Sequence, residues 1–151
     1  MICGRRIAPI LVVVLAVLAA GCGGDDRSDL AEQVAALCDE ARLDIEALGL
    51  PSETGIAVIR PWANRGTKLA KDIRALEGGS ESEQETVAAL ATALDEYYAG
   101  LRLGHTIYEQ TRSSEAYAQT IERAKAFQAD ADAAATELGA AECTRRPFDE
   151  A

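Results

Sequence analysis

Apolar residues recur every three or four positions over four long segments of the chain, as they do in amphipathic helices. The first segment predicts a helix from about Asp29 to Leu48, ended by Gly49 and Pro51. Asp29 and Glu32 have the spacing of a capping box at its start. Its predicted buried face consists of Leu30, Val34, Leu37, Ala41, Ile45 and Leu48.

The second segment leaves its starting point open. Pro61 suits the first position of a helix, where its missing N–H costs no hydrogen bond. A longer helix that begins near Glu53 and is kinked at Pro61 is the alternative. The predicted buried face consists of Ile59, Trp62, Gly66, Leu69, Ile73 and Leu76, and the helix ends at Gly78 and Gly79.

The third segment predicts a helix from about Glu81 to Gln110. Two residue pairs could form its capping box: Ser80 with Glu83, or Ser82 with Glu85. Its predicted buried face consists of Val87, Leu90, Leu94, Tyr97, Leu101 and Tyr108. Gly100 and Gly104 lower helix propensity but permit a neighbouring helix to approach closely.

The fourth segment predicts a helix from about Ser114 to Leu138, with Ser113 or Ser114 as its cap and Gly139 as its end. Small side chains dominate its buried face, which consists of Tyr117, Ile121, Ala124, Ala131, Ala135 and Leu138, widened by Phe127 and Ala134. Four such helices with short connections predict an all-α fold, an up-down-up-down four-helix bundle.

The first 21 residues have the parts of a secretory signal peptide. Arg5 and Arg6 precede an apolar run, Ile7–Ala20, that is short for a membrane span, which needs about 20 apolar residues. The stretch Leu18–Cys22 resembles the lipobox of bacterial lipoproteins. The resemblance implies that Cys22 receives a diacylglyceryl group and becomes the new N-terminus; an uncleaved anchor helix is the alternative.

These boundaries divide the chain into four parts. Residues 1–21 are the predicted signal peptide, 22–28 a lipidated flexible linker, 29–143 the bundle and 144–151 a tail. We therefore expect the protein on the outer face of the cytoplasmic membrane, attached through lipid on Cys22.

Cysteine usage predicts one disulfide. The sequence has four cysteines, of which Cys3 leaves with the leader and Cys22 carries lipid. Cys38 and Cys143 remain, and exported proteins occupy compartments where disulfides persist. In the predicted bundle the end of the fourth helix returns beside the first, so the two thiols can meet. A metal or redox pair is the weaker alternative, because there is no CxxC motif and His105 is the single histidine.

The chain is acidic, with a formal net charge of −10. This charge argues against nucleic acid as a partner and against the body lying flat on anionic lipid, and it is compatible with a domain that the linker holds off the membrane. The second helix is the exception, with five basic residues and one acid: Arg60, Arg65, Lys68, Lys71, Arg74 and Asp72. Its basic face either fixes the register against the acidic first helix, which is the favoured interpretation, or docks an acidic partner.

No constellation for catalysis, metal binding or cofactor binding is present in the sequence, so we expect neither an enzyme nor a cofactor. Tyr98 and His105 lie two turns apart on the third helix, with Arg102 between them. Their spacing predicts either a half-buried flank of the helix or, as the sharper hypothesis, a partner surface, since Tyr and Arg are frequent at interface hot spots.

The lipobox, Cys38 in the first helix and the closing stretch ELGAAEC, Glu137–Cys143, together resemble small alanine-rich helical lipoproteins of actinobacteria. The resemblance implies an exported, disulfide-tied helical fold and supplies no catalytic residues. The favoured function is a non-enzymatic module that binds an envelope protein. The alternative is a carrier of a small apolar ligand or a metal ion between helices.

Overall fold

A computed structural model describes residues 28–49 and 56–145 of the chain. Within those ranges the protein is all-α, without strands, and forms a bundle of four helices as predicted. The helices are α1 Asp29–Glu46, α2 Ile59–Arg74, α3 Glu81–Thr111 and α4 Ser114–Leu138, with short 3₁₀ segments at Ile56–Val58 and Ala141–Thr144. The predicted leader, Cys22, residues 22–27 of the linker and residues 146–151 of the tail lie outside the described residues.

Two helices begin and end where the sequence predicts. Ser80 caps α3 and forms the capping box with Glu83, so that pair, and not Ser82 with Glu85, makes the box. Ser113 caps α4, and Gly139 ends it in the left-handed conformation at φ 77°, which glycine adopts without strain.

The other two helices differ from the prediction at their ends. Ser28 caps α1 through a hydrogen bond from the Ala31 amide, so the predicted Asp29–Glu32 capping box does not form. Helix α2 begins at Ile59, two residues before Pro61, and continues directly from the 3₁₀ segment. Pro61 is thus the third helical residue, where an amide has no partner within the helix and none is lost.

Consecutive helices pack antiparallel. The end of α1 meets the start of α2, where the indole N–H of Trp62 donates to the carbonyl of Ile45 at 3.2 Å. Arg60 at the start of α2 pairs with Glu109 near the end of α3. A Cβ atom on Gly100 of α3 would lie 2.6 Å from that of Ala124, so α3 and α4 are in backbone-close contact.

The core is filled by the predicted apolar faces. Trp62 is the largest fully buried side chain, and the other large side chains that are fully buried are Leu30, Val34, Ile45, Ile73, Val87, Leu90 and Leu94. The prediction of burial is wrong for two residues: Leu48 is 36% exposed and Phe127 is 38% exposed. Leu48 lies beyond the last helical turn of α1. Phe127 follows Ala124 by three residues, and the close α3–α4 contact at Ala124 leaves its ring at the edge of the seam.

Among the described residues, no helix combines the length and the apolar content that crossing a membrane requires.

Candidate functional site

The C-terminal 3₁₀ turn is fastened to α1 by a disulfide. Cys38 and Cys143 are bonded with their Cα atoms 5.0 Å apart, across 105 positions of sequence, and both are about 95% buried. Gly139 reverses the chain after α4, and Ala140 is completely buried beyond it. The predicted bridge is confirmed, and it closes the bundle by joining its last segment to its first helix.

The disulfide uses the sulfur atoms of both Cys38 and Cys143. In this state neither residue has a free thiol for the alternative role, a metal-binding or redox pair. Residues 28–49 and 56–145 contain no group of three His, Cys, Asp or Glu side chains placed to hold a metal ion.

A second junction joins the N-terminus of α1 to that of α3. The Glu83 carboxylate accepts hydrogen bonds from the Ser80 amide at 2.7 Å and from the Ser80 hydroxyl at 2.8 Å. The pKa of Glu83 is lowered to about 2. The largest cause is a hydrogen bond from the Ser28 hydroxyl, and the next is the pair of hydrogen bonds from Ser80. Ser28, where the predicted linker joins the bundle, therefore interacts with the negatively charged carboxylate of Glu83.

The spacing of Ser80 and Glu83 indicated only the local capping box. The contact of Glu83 with Ser28 joins residues 55 positions apart, and no sequence pattern indicated it.

The structure separates the three residues of the predicted partner surface. Tyr98 and His105 are each only 4% exposed, whereas Arg102 is exposed. The Tyr98 ring occupies the space beside Gly66 of α2 and meets the ring of Tyr97 edge-on at 5.0 Å. Tyr98 and His105 thus belong to the core, and no common surface with Arg102 forms.

His105 lies beside a small charged cluster. Its Nδ1 atom is 3.4 Å from the Glu109 carboxylate without hydrogen-bond geometry, and the same Glu109 oxygen accepts from Arg60 at 3.0 Å. This cluster links α2 to α3 at the end of the bundle opposite Ser28, and Arg60 and Glu109 are its exposed members.

Two clefts lined by described residues are small. One lies between α1 and α2, holds about 80 Å³ and is bordered by Asp44, Arg65, Lys68 and Asp72. The other lies beside the disulfide and holds about 20 Å³. Sites for drug-sized molecules enclose roughly 300–1,000 Å³, so neither cleft accommodates such a ligand.

Ion pairs neutralise part of the basic face of α2. Arg65 pairs with Asp44 of α1 at 3.2 Å, which supports the interpretation that this face fixes the register of the two helices. Lys68 pairs with Asp72 on α2 itself, and that pairing is the largest cause that raises the pKa of Lys68. Because these pairs are exposed, each stabilises the fold only slightly.

Comparisons of this chain with protein-family models, with curated proteins and with solved structures gave no match.

Proposed function

We propose that this protein is a lipid-anchored helical module on the outer face of the cytoplasmic membrane, which acts without catalysis by binding an envelope protein. The anchor is supported by the lipobox-like stretch Leu18–Cys22, which follows a charged and then apolar leader. Six positions separate Cys22 from Ser28, where the described fold begins.

The disulfide supports export. Cys38 and Cys143 are buried and bonded, and structural disulfides persist in oxidising compartments outside the cytoplasm. An exported chain is also the substrate that acylation of Cys22 requires, so the two features support each other.

The buried apolar core and the small size of the described clefts support the proposal that the protein acts through its surface. Trp62 and the other large apolar side chains of the core are fully buried, and the two clefts described above are too small for a drug-sized ligand. A carrier needs an enclosed site between its helices. This observation favours a binding module over a carrier of a drug-sized ligand.

Exposed apolar side chains indicate where contact with a partner protein is most favourable. Leu103 of α3 is 54% exposed and Phe127 of α4 is 38% exposed. They follow Gly100 and Ala124 by three residues, and those two positions touch, so both side chains flank the α3–α4 seam. Covering apolar side chains of this kind with a partner removes them from water, which favours association.

Site-specific crosslinking in cells tests this function. A photoreactive amino acid at Leu103 or Phe127 is expected to give a defined adduct with one envelope protein. The matched control is Gln119, an exposed polar position on α4, where the yield should be much lower. If positions sampled over all four helices give no defined adduct, the proposed function is wrong. A small-molecule mass retained in native mass spectrometry would favour the carrier instead.

A further inference from the structure

Helix α2 concentrates positive charge on an acidic protein. Three of its basic residues, Arg60, Lys71 and Arg74, lie on one strip of the helix, with the uncharged Asn64 and the half-buried Thr67 between them at spacings of three and four; we call these five residues the basic strip. The three cations of the strip are exposed, and the acid of α2, Asp72, lies off it and pairs with Lys68. The net charge of the chain therefore does not describe this face.

The cations of the strip are not equally engaged. Arg60 is paired with Glu109 at 3.0 Å. Lys71 and Arg74 are exposed and form no ion pair with any residue that the structure describes. They lie three positions apart on the last turn of α2, where the helix dipole also favours positive charge. Two charged groups are thus available to an external anion.

The strip lacks what a protein interface normally has at its centre. Its five residues are all polar or charged, and the large apolar residues found exposed, Leu43, Leu48, Leu103 and Phe127, lie outside α2. Protein interfaces deplete charge at the core and enrich aromatic and apolar residues there. Neighbouring cations such as Lys71 and Arg74, without apolar anchors, suit a plane of phosphate groups instead, to which guanidinium and ammonium groups donate charge-assisted hydrogen bonds.

Lys71 and Arg74 lie at the end of the bundle where the linker enters. A Cβ atom on Gly79, five residues after Arg74, would lie 2.8 Å from Leu30 Cδ2, and Leu30 follows Ser28, the N-cap of α1, by two residues. The six Cα–Cα steps from Cys22 to Ser28 span at most about 22 Å when the chain is fully extended. A lipid on Cys22 would keep this end of the bundle within that distance of the membrane.

We propose that the basic strip of α2 docks on the anionic phospholipid headgroups of the membrane to which the protein is attached. The proposal rests on the membrane attachment proposed above and adds an orientation to it. Acids near the same end, such as Glu77 and Glu81, oppose docking. Charges on the far faces of the bundle act weakly, because the screening length is about 8 Å at physiological salt. The surface in contact therefore decides the interaction, and the net charge does not.

Lysine labelling of the membrane-attached chain tests the docking. The sequence has three lysines, and Lys125 on α4 serves as the internal control for Lys71. The protein with its own anchor is placed in vesicles of phosphatidylcholine, alone or mixed equally with phosphatidylglycerol, and reacted with an amine-specific reagent. We expect about tenfold slower labelling of Lys71 in the anionic vesicles, as two basic residues near such a surface allow, and no change at Lys125. The protection should be lost at about 1 M salt, where screening shortens to ~3 Å.

Variants and a competing probe complete the test. Arg74→Gln should reduce the protection of Lys71, whereas Arg123→Gln on α4 should not, with both variants checked for unchanged thermal unfolding. Equal labelling of Lys71 in the two vesicle types would overturn the proposal. Protection of Lys71 by a soluble Glu-rich peptide but not by anionic vesicles would overturn it in favour of an acidic protein. The intact mass reports acylation of Cys22 separately, so failure of the anchor and failure of the docking are distinguishable.

Discussion

The ring of Tyr98 occupies the space that any side chain at Gly66 would need. A Cβ atom at position 66 would overlap three ring carbons of Tyr98, and both residues are buried between α2 and α3. The absence of a side chain at Gly66 is therefore what lets these two helices approach each other through an aromatic ring.

Gly66→Ala is expected to destabilise the fold by about 1–3 kcal/mol, because the added methyl group forces the Tyr98 ring out of its position. Alanine would otherwise stabilise a helix interior by up to about 1 kcal/mol relative to glycine. Urea unfolding followed by circular dichroism measures the change. The control is Asn64→Ala on the exposed face of α2, which should be neutral or slightly stabilising. An unchanged or higher urea midpoint for Gly66→Ala would contradict the contact.

Tyr98→Ala is expected to cost about 3–5 kcal/mol, the range for removing a buried aromatic side chain. Arg102→Ala should change the free energy of unfolding by less than about 0.5 kcal/mol, because Arg102 is exposed. Thermal and urea unfolding of the two variants make the comparison. If Tyr98→Ala were as stable as the parent protein, the burial of this ring would be wrong and the surface predicted from the sequence would regain support.

Removing the disulfide is expected to lower the free energy of unfolding by about 2–4 kcal/mol. The chain-entropy model sets an upper figure of ~4.7 kcal/mol for a loop of about this length. The Cys38→Ala/Cys143→Ala double variant and the parent protein in reductant should show the same lowered urea midpoint. Adding reductant to the double variant is the control and should have no effect. A midpoint of the parent protein that does not respond to reductant would contradict the brace between α1 and the C-terminal turn.

The Glu83 junction predicts a specific loss of stability in acid. The pKa of Glu83 is lowered from 4.5 to about 2 in the folded protein, first by the hydrogen bond from Ser28 and then by those from Ser80. Its contribution is therefore complete above about pH 4.5 and is lost as the pH falls towards about 2. Glu83→Gln should flatten the fall of the urea midpoint over this interval.

Other carboxylates titrate in the same interval, so the reference is Glu85→Gln, an exposed position one half-turn away on α3. The pH dependence of the Glu85→Gln variant should stay close to that of the parent protein. Identical acid profiles for the Glu83 and Glu85 variants would show that the junction at Ser28 and Ser80 does not hold the charge.

Local signals in the sequence determined the helices well where caps are unambiguous. Ser113 and Gly139 enclose α4, and its predicted bounds agree with the structure residue for residue. At the start of α1 two good capping residues, Ser28 and Asp29, stand side by side. Ser28 is the N-cap in the structure, and Ser28 is also the residue that interacts with Glu83, 55 positions away in the sequence.

Helical periodicity could not determine which flanking residues are buried. Tyr98 and His105 lie beside the apolar stripe of α3, and their burial depends on a neighbour that makes room, as Gly66 does for Tyr98. Phe127 has the same relation to the stripe of α4, yet the close approach of Ala124 to Gly100 leaves it at the edge of the interface. The disulfide was predictable because it follows from the number of cysteines and the order of the helices. Neither depends on how individual side chains pack between neighbouring helices.

The intact mass of the protein extracted from its native membrane, with free thiols alkylated before extraction, tests the anchored and disulfide-braced module most directly. We predict a chain that begins at Cys22, carries the diacylglyceryl mass there and has no alkylated cysteine. A chain that retains its leader without lipid on Cys22, or that is alkylated at both Cys38 and Cys143, would contradict it.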